Sequence, residues 1–190
     1  MRRLTRRAYT LIELLIVVAI LGLSSALLIP RLVDADTFSV QAAVRSVIAD
    51  ITFAQTDALA MQRVRRVQFL RDTNGRLHGY AILAAADQSN YDQGFDPETA
   101  EYLGHDSLTA TAGRFIVDFD VDRRFAGVEI VSVDFGGRDW IAFDALGGTL
   151  GISGQPLASG GEVRMRGQSG AYLIRLSGFT GKITVEPIDE

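Results

Sequence analysis

Four acidic side chains carry the spacing of a calcium-binding loop: Asp118, Asp120, Asp122 and Glu129. They stand at the first, third, fifth and twelfth positions of that pattern. The sixth position of such a loop is a glycine that makes the sharp turn, and Arg123 occupies it here. Alternation along a strand would place the three aspartates on one solvated face. The match is therefore poor, and we expect no metal or other cofactor.

Other side chains capable of catalysis are few. The chain has no cysteine, which excludes thiol chemistry, disulfides and cysteine metal sites. Its two histidines are His78, in an alternating segment, and His105, beside Asp106. Neither has a serine or carboxylate at a spacing typical of a catalytic triad. We expect no enzymatic activity and no catalytic residues, and we expect Trp140 to lie in the core.

Five arginines follow one another closely in the middle of the chain: Arg63, Arg65, Arg66, Arg71 and Arg76. They could form a DNA-binding patch, or they could complement a helix C-terminus and solvate a strand. Without the four arginines of the first eight residues, 15 basic side chains face 23 acidic ones. Because phosphate binding needs basic side chains, this acidic body disfavours nucleic acid as a partner.

The N-terminus combines charge and a long apolar run. Four arginines in the first eight residues precede residues 11–29, which are apolar except for Glu13, one glycine and two serines. About 20 helical residues span a bilayer, and the arginines predict a cytoplasmic N-terminus. Three interpretations stay open: a secretory signal cut so that the mature chain begins near Leu27, a simple anchor, or an anchor with a functional, paired glutamate. An intramembrane acid is costly unless it is paired, which favours the last.

The next segment has a helical period. One apolar stripe has spacings of four and three residues: Val40, Val44, Val47, Ile51, Ala54, Ala58 and Met61. We expect one helix from Tyr9 to Gln62, kinked at Pro30, although Asp34, Asp36 and Thr37 could cap a separate helix. The stripe could form a coiled coil, but its short length favours packing on the protein's own sheet.

From Val64 the apolar period changes to two, and Asn74-Gly75 between two such runs predicts a hairpin. Residues 86–113 are rich in polar residues and glycine and are expected to form a surface loop. Six further strands are predicted, over residues 114–122, 127–134, 139–145, 162–166, 171–177 and 182–186. The expected fold class is α+β, with a long N-terminal helix packed on an antiparallel β-sheet head.

The stretch from Ala8 to Leu15, AYTLIELL, resembles the class III signal of type IV pilins and pseudopilins. The resemblance implies that a prepilin peptidase cuts between Ala8 and Tyr9 and methylates the new amino terminus. Glu13 becomes the fifth mature residue, and Pro30 takes a position where the family often has proline. The family usually has glycine where this chain has Ala8. The resemblance suggests that Glu13 pairs with the amino terminus of a neighbouring subunit in a filament.

Three further segments are similar to H-type minor pseudopilins: residues 53–63, 140–147 and 178–185. This resemblance implies a leader (1–8), a transmembrane helix (9–30), an amphipathic helix (31–63) and a periplasmic or extracellular head (64–190). The implied function is a minor pseudopilin in the short filament of a type II secretion system, anchored once in the inner membrane. The implied partners are other subunits, prepilin peptidase and the inner-membrane assembly platform. The alternatives are a minor pilin of a type IV pilus or DNA-uptake machine, and an exported enzyme or binding domain.

Overall fold

The computed structural model describes residues 10–85, 91–104 and 113–188, with the side chains of residues 25–37 outside that description. The chain divides into two units, Met1–Ala35 and Asp36–Glu190. One helix, α1 (Leu11–Met61), contributes to both. Because α1 is unbroken from residue 34 to residue 37, no separate helix begins there. Within the described part of the chain, no helix is both long and apolar enough to cross a membrane.

The end of α1 has the geometry of a helix C-cap. Gln62 takes a left-handed backbone conformation with φ of 51°, and the amide of Arg63 donates to the carbonyl of Ala58 at 3.1 Å. Such a bond satisfies a carbonyl that the helix itself leaves without a partner. The chain turns out of the helix here, one residue before the predicted change of period at Val64.

The predicted apolar stripe of α1 packs into the core of the head. Its first six residues, from Val40 to Ala58, are each at most 5% exposed. They contact the sheets of the same chain, which confirms self-packing rather than a coiled-coil seam. The prediction is wrong for Met61, which is 60% exposed. Met61 is the last helical residue, and the chain leaves the helix axis immediately after it.

Among its described residues, the head contains nine strands: β1 (Arg65–Arg71), β2 (Leu77–Ala84), β3 (Ile116–Asp118), β4 (Glu129–Asp134), β5 (Trp140–Phe143), β6 (Thr149–Leu150), β7 (Gly161–Gly167), β8 (Gly170–Leu176) and β9 (Ile183–Ile188). They make two antiparallel sheets rather than one, in the orders β3-β2-β1-β5-β6 and β4-β7-β8-β9. The α+β class is thus confirmed, with a helix packed on antiparallel sheets. The predicted hairpin is β1–β2.

The region between β2 and β3 differs from the rest of the head. Its described part, residues 91–104, contains turns and two isolated bridges, Leu83–Tyr102 and Gly104–Arg114. The predicted strand over residues 114–122 is only three residues long, because the chain turns after Asp118 and forms a 3₁₀ turn at Arg123–Phe125. Of the three aspartates that alternation would align, only Asp118 is in a strand.

Large side chains from both sheets meet α1 in one continuous core. Tyr80, Phe69, Phe135, Phe143 and Met165 are each at most 1% exposed. Gly167 lets α1 approach β7 closely, since a Cβ atom there would lie 2.8 Å from the Cβ of Val40. Full burial of such aromatic side chains supplies much of the free energy that stabilises the head.

Two polar contacts fix the position of α1 on the sheets. The hydroxyl of Tyr80, a fully buried residue, hydrogen-bonds to the carboxylate of Asp50 and lies 3.2 Å from Ser46 Oγ. Burial and the nearby Asp50 carboxylate raise the pKa of Tyr80 well above its ordinary value. Near the end of α1, Arg65 Nε lies 2.5 Å from Asp57 Oδ2, and both side chains are largely buried.

Gln55 connects α1 to one turn of each sheet. Its Nε2 donates to the carbonyl of Gly147 at 2.7 Å and to that of Thr180 at 2.9 Å. Gly147 lies between β5 and β6, and Thr180 lies between β8 and β9. A single side chain therefore holds both turns against the helix.

Replacing Gln55 by alanine is expected to lower the free energy of unfolding by about 1–3 kcal/mol, because two backbone carbonyls lose their donor. Unfolding in urea, followed by the fluorescence of the single tryptophan, Trp140, measures this loss. Gln41→Ala is the matched control, since Gln41 makes one long bond of 3.5 Å to Tyr172. Equal losses in the two variants would contradict a special role for Gln55.

Strand β9 is the outer strand of its sheet and contains Pro187 opposite Tyr172. The amide of Ser177 donates to the carbonyl of Lys182 at 2.8 Å, so Ser177 and Lys182 are a hydrogen-bonded pair at the start of the same ladder. Hydrogen-bonded and non-bonded pairs alternate along an antiparallel ladder, so the Pro187 position is non-bonded. The nitrogen of Pro187 therefore faces the free edge of the sheet, where it has no hydrogen to donate.

Candidate assembly and processing segment

The start of α1 is a capping box between Thr10 and Glu13. The amide of Glu13 donates to Thr10 Oγ1 at 3.3 Å, and the amide of Thr10 donates to Glu13 Oε2 at 3.4 Å. The carboxylate also lies in the first turn, where the helix dipole favours negative charge. Sequence reasoning missed this local role, although Thr-x-x-Glu before an apolar run is its signature. The processing residues Ala8 and Tyr9 lie outside the described residues.

The first part of α1 exposes its apolar side chains. The large hydrophobic residues from Leu11 to Leu23 are each at least 51% exposed. Exposure of this extent around a helix is typical of a segment that is covered by lipid or by other helices. The backbone of α1 continues through Pro30, whose side chain lies outside the description, so the proposed kink stays a prediction.

The four acidic residues of the calcium-loop pattern do not come together in the structure. Asp122 caps the 3₁₀ turn and pairs with Arg124, and these hydrogen bonds hold the pKa of Asp122 below its ordinary value. Glu129 pairs with Arg166 at 3.1 Å. Among the described residues, these two carboxylates do not join Asp118 and Asp120 in a common ligand set.

The five arginines do not share one surface. Arg63 is exposed, whereas Arg65 and Arg66 are each only 5% exposed. Arg71 pairs with Asp139, and Arg76 pairs with Asp72 and Asp120. Paired or buried guanidinium groups are poorly placed for phosphates, so the arrangement gives no support to a DNA-binding patch.

Arg66 instead belongs to a buried cluster around Trp140. The guanidinium carbons of Arg66 and Arg138 lie 4.5 Å and 4.4 Å from the centre of the Trp140 ring, and the Tyr91 ring meets it edge-on. Arg66 Nη1 also donates to the carbonyls of Tyr91 and Gln93. Desolvation lowers the pKa of Arg66 to about 10, so it stays charged at neutral pH. Trp140 is 7% exposed, which confirms its place in the core.

Of the two histidines, only His78 lies among the described residues. His78 Nδ1, on β2, lies 3.5 Å from Asp118 Oδ2 on the neighbouring strand. His105 and Asp106 lie outside the described residues. No finding gives either histidine a catalytic role.

Comparison with known proteins identifies a motif at the N-terminus. Residues 3–29 match the sequence profile of a family described as the prokaryotic N-terminal methylation motif. The chain therefore carries that motif across Ala8, Tyr9 and Glu13. A search of curated protein sequences finds no match.

Among solved structures, the chain is similar to the crystal structure of the type IV minor pilin FimU from Pseudomonas aeruginosa strain PAO1. The two share 16% sequence identity over 78% of this chain and 88% of that chain, with a TM-score of 0.45. At this level of likeness, the function has to be argued from this chain's own residues.

Proposed function

We propose that this chain is a minor subunit of the type IV pilin and pseudopilin class, and specifically an H-type minor pseudopilin of a type II secretion system. It is inserted in the inner membrane with its N-terminus in the cytoplasm and its head outside. Prepilin peptidase removes residues 1–8 and methylates Tyr9, and the subunit then joins other subunits in a short filament. The observation that carries this proposal is the N-terminal methylation motif over residues 3–29.

The exposed apolar part of α1 supports assembly through the helix. Its large hydrophobic side chains from Leu11 to Leu23 are each at least 51% exposed in the part of the chain that the structure describes. Lipid covers them before assembly, and the helices of neighbouring subunits cover them in a filament. The distal part of α1, from Val40 onward, buries its stripe in the head and so carries the head into the filament.

Glu13 has two roles in this proposal. In the isolated chain it caps the first turn of α1 with Thr10. In the filament its carboxylate pairs with the methylated amino group of a neighbouring subunit. Pairing opposite charges in a low-dielectric environment offsets the large cost of burying either one alone.

The mature N-terminal residue tests the processing step. Mass spectrometry of chain isolated from the membrane is expected to give a methylated Tyr9 as the first residue. A chain beginning near Leu27 would contradict the proposal and would indicate a conventional signal peptide. Loss of type II secretion after deletion of the gene, with pili retained, supports the finer assignment, whereas loss of pili alone would assign the chain to a pilus.

Two substitutions of Glu13 separate its roles. Glutamine can complete a capping box but carries no charge. Leucine also carries no charge, and it cannot complete the box. If the charge pairs with a neighbouring amino group, Glu13→Gln and Glu13→Leu are both expected to lower filament incorporation about tenfold or more, the cost of an unpaired buried charge. Incorporation is measured as the fraction of the subunit in sheared filaments. Normal incorporation of Glu13→Gln would leave only the capping role.

A further inference from the structure

A histidine and two aspartates meet where β2 and β3 pair. Gly79 is opposite Asp118 in the ladder, and the amide of Phe119 donates to the carbonyl of His78 at 2.8 Å. This register brings ligand atoms of His78, Asp118 and Asp120 to within 4.8 Å of one another. His78 and Asp118 are half-buried, and Asp120 is exposed to solvent.

One pair of ligand atoms in the cluster has a separation close to that of two ligands on one metal ion. His78 Nδ1 and Asp118 Oδ2 are 3.5 Å apart, beyond the range of roughly 2.7–3.2 Å for an N–H···O bond. Two ligands at about 2.0–2.1 Å from a tetrahedral zinc ion are separated by about 3.3 Å. The other oxygen of Asp118 accepts a bond of 2.9 Å from the amide of Asp120, which turns Oδ2 toward His78.

The guanidinium group of Arg76 would compete with a metal ion for the carboxylate of Asp120. It pairs with both oxygens of Asp120, and its Nε lies 3.3 Å from Asp72 Oδ2. These bonds lower the pKa of Asp120, so its carboxylate is ionised at neutral pH. Arg76 can remain paired with Asp72 when the carboxylate of Asp120 binds a metal ion. Three carboxylates against one guanidinium leave two formal negative charges, which a divalent cation would neutralise.

We propose that His78, Asp118 and Asp120 form a binding site for a divalent transition-metal ion of the zinc type. Three protein ligands leave one tetrahedral position for water or for a ligand from elsewhere. The imidazole nitrogen favours zinc over calcium, which takes six to eight oxygen ligands. The site lies on the head, apart from the methylation motif, and is independent of the function proposed above.

The test is calorimetric titration of Zn²⁺ into the full chain in detergent micelles, without a histidine tag and after removal of metal by a chelator. We expect one ion per chain. His78→Gln and Asp118→Asn should each weaken binding by at least about tenfold, because each removes a ligand. The control Glu129→Gln should bind as the parent does. Absence of binding, or unchanged binding in His78→Gln, would overturn the proposal.

A variant with the opposite effect guards against misfolding as an explanation. Arg76→Gln frees Asp120 and is expected to raise the affinity for Zn²⁺ severalfold. Unchanged affinity in Arg76→Gln would contradict ligation by Asp120. Calcium binding that depends on Glu129 would contradict the proposed ligand set in favour of the calcium-loop pattern.

Discussion

Replacing Ala8 by leucine is expected to leave the chain uncut, in the membrane and absent from filaments. A large side chain directly before the proposed cut should block the peptidase. The uncut chain keeps Arg6 and Arg7 beside the apolar segment, and moving one arginine into lipid costs about 2.5–3.5 kcal/mol on insertion scales. The intact mass of the membrane-bound chain and its amount in sheared filaments measure the two effects.

Ala8→Gly is the matched control, because type IV pilins and pseudopilins usually have glycine at the position before the proposed cut. It is expected to be processed at least as well as the parent. Efficient cleavage of Ala8→Leu would contradict the position of the cut. Uncut chain that still enters filaments would contradict the requirement for processing.

Replacing Asp57 by alanine is expected to lower the free energy of unfolding by about 3–5 kcal/mol. The side chains of Asp57 and Arg65 are 14% and 6% exposed, so the substitution leaves the guanidinium buried without its carboxylate. Arg65 Nη1 retains only the carbonyl of Val64, at 3.2 Å, among the hydrogen bonds found for the described residues. The expected loss of stability is large because this buried pair joins the end of α1 to the start of β1.

Unfolding in urea, followed by the fluorescence of Trp140, measures this loss. Glu186→Ala is the control, since Glu186 pairs with Arg175 in a contact that is about half exposed and such pairs contribute about 0–1 kcal/mol. The double variant Asp57→Leu, Arg65→Met removes both charges and is expected to recover much of the stability. If Asp57→Ala lowers the free energy of unfolding no more than Glu186→Ala does, the buried pair does not hold α1 to β1.

The helix was predictable from the sequence because its signals are local. The three-and-four spacing identifies the buried face from Val40 to Ala58, and the change of period at Val64 identifies its end. The division into two sheets was not predictable, because strand partners such as β1 and β5 are distant in sequence. The two residues of β6 are too few to show alternation, and Met61 follows the spacing but lies beyond the helix's contact with the sheets.

The site was predictable in part for the same reason. The methylation motif and Glu13 lie in one continuous stretch, so the resemblance to a known signal could be recognised from the sequence. The bond between Glu13 and Thr10 is also local, and a search for capping boxes would have found it. The grouping of Asp118 and Asp120 with His78 depends on the register of β2 and β3, which no local pattern gives. Asp122 and Glu129 fit a linear motif that the turn after Asp118 breaks.

Pro187 has a consequence for crowded copies of this protein. An outer strand with free amides invites another strand to add to it, and sheets can then merge between molecules. Where Pro187 faces outward, an incoming strand meets a nitrogen without hydrogen and loses one rung of its ladder. Heads held side by side at high local concentration are therefore expected to stay separate folded bodies, and under the proposed function growth by addition of subunits is left to the helices.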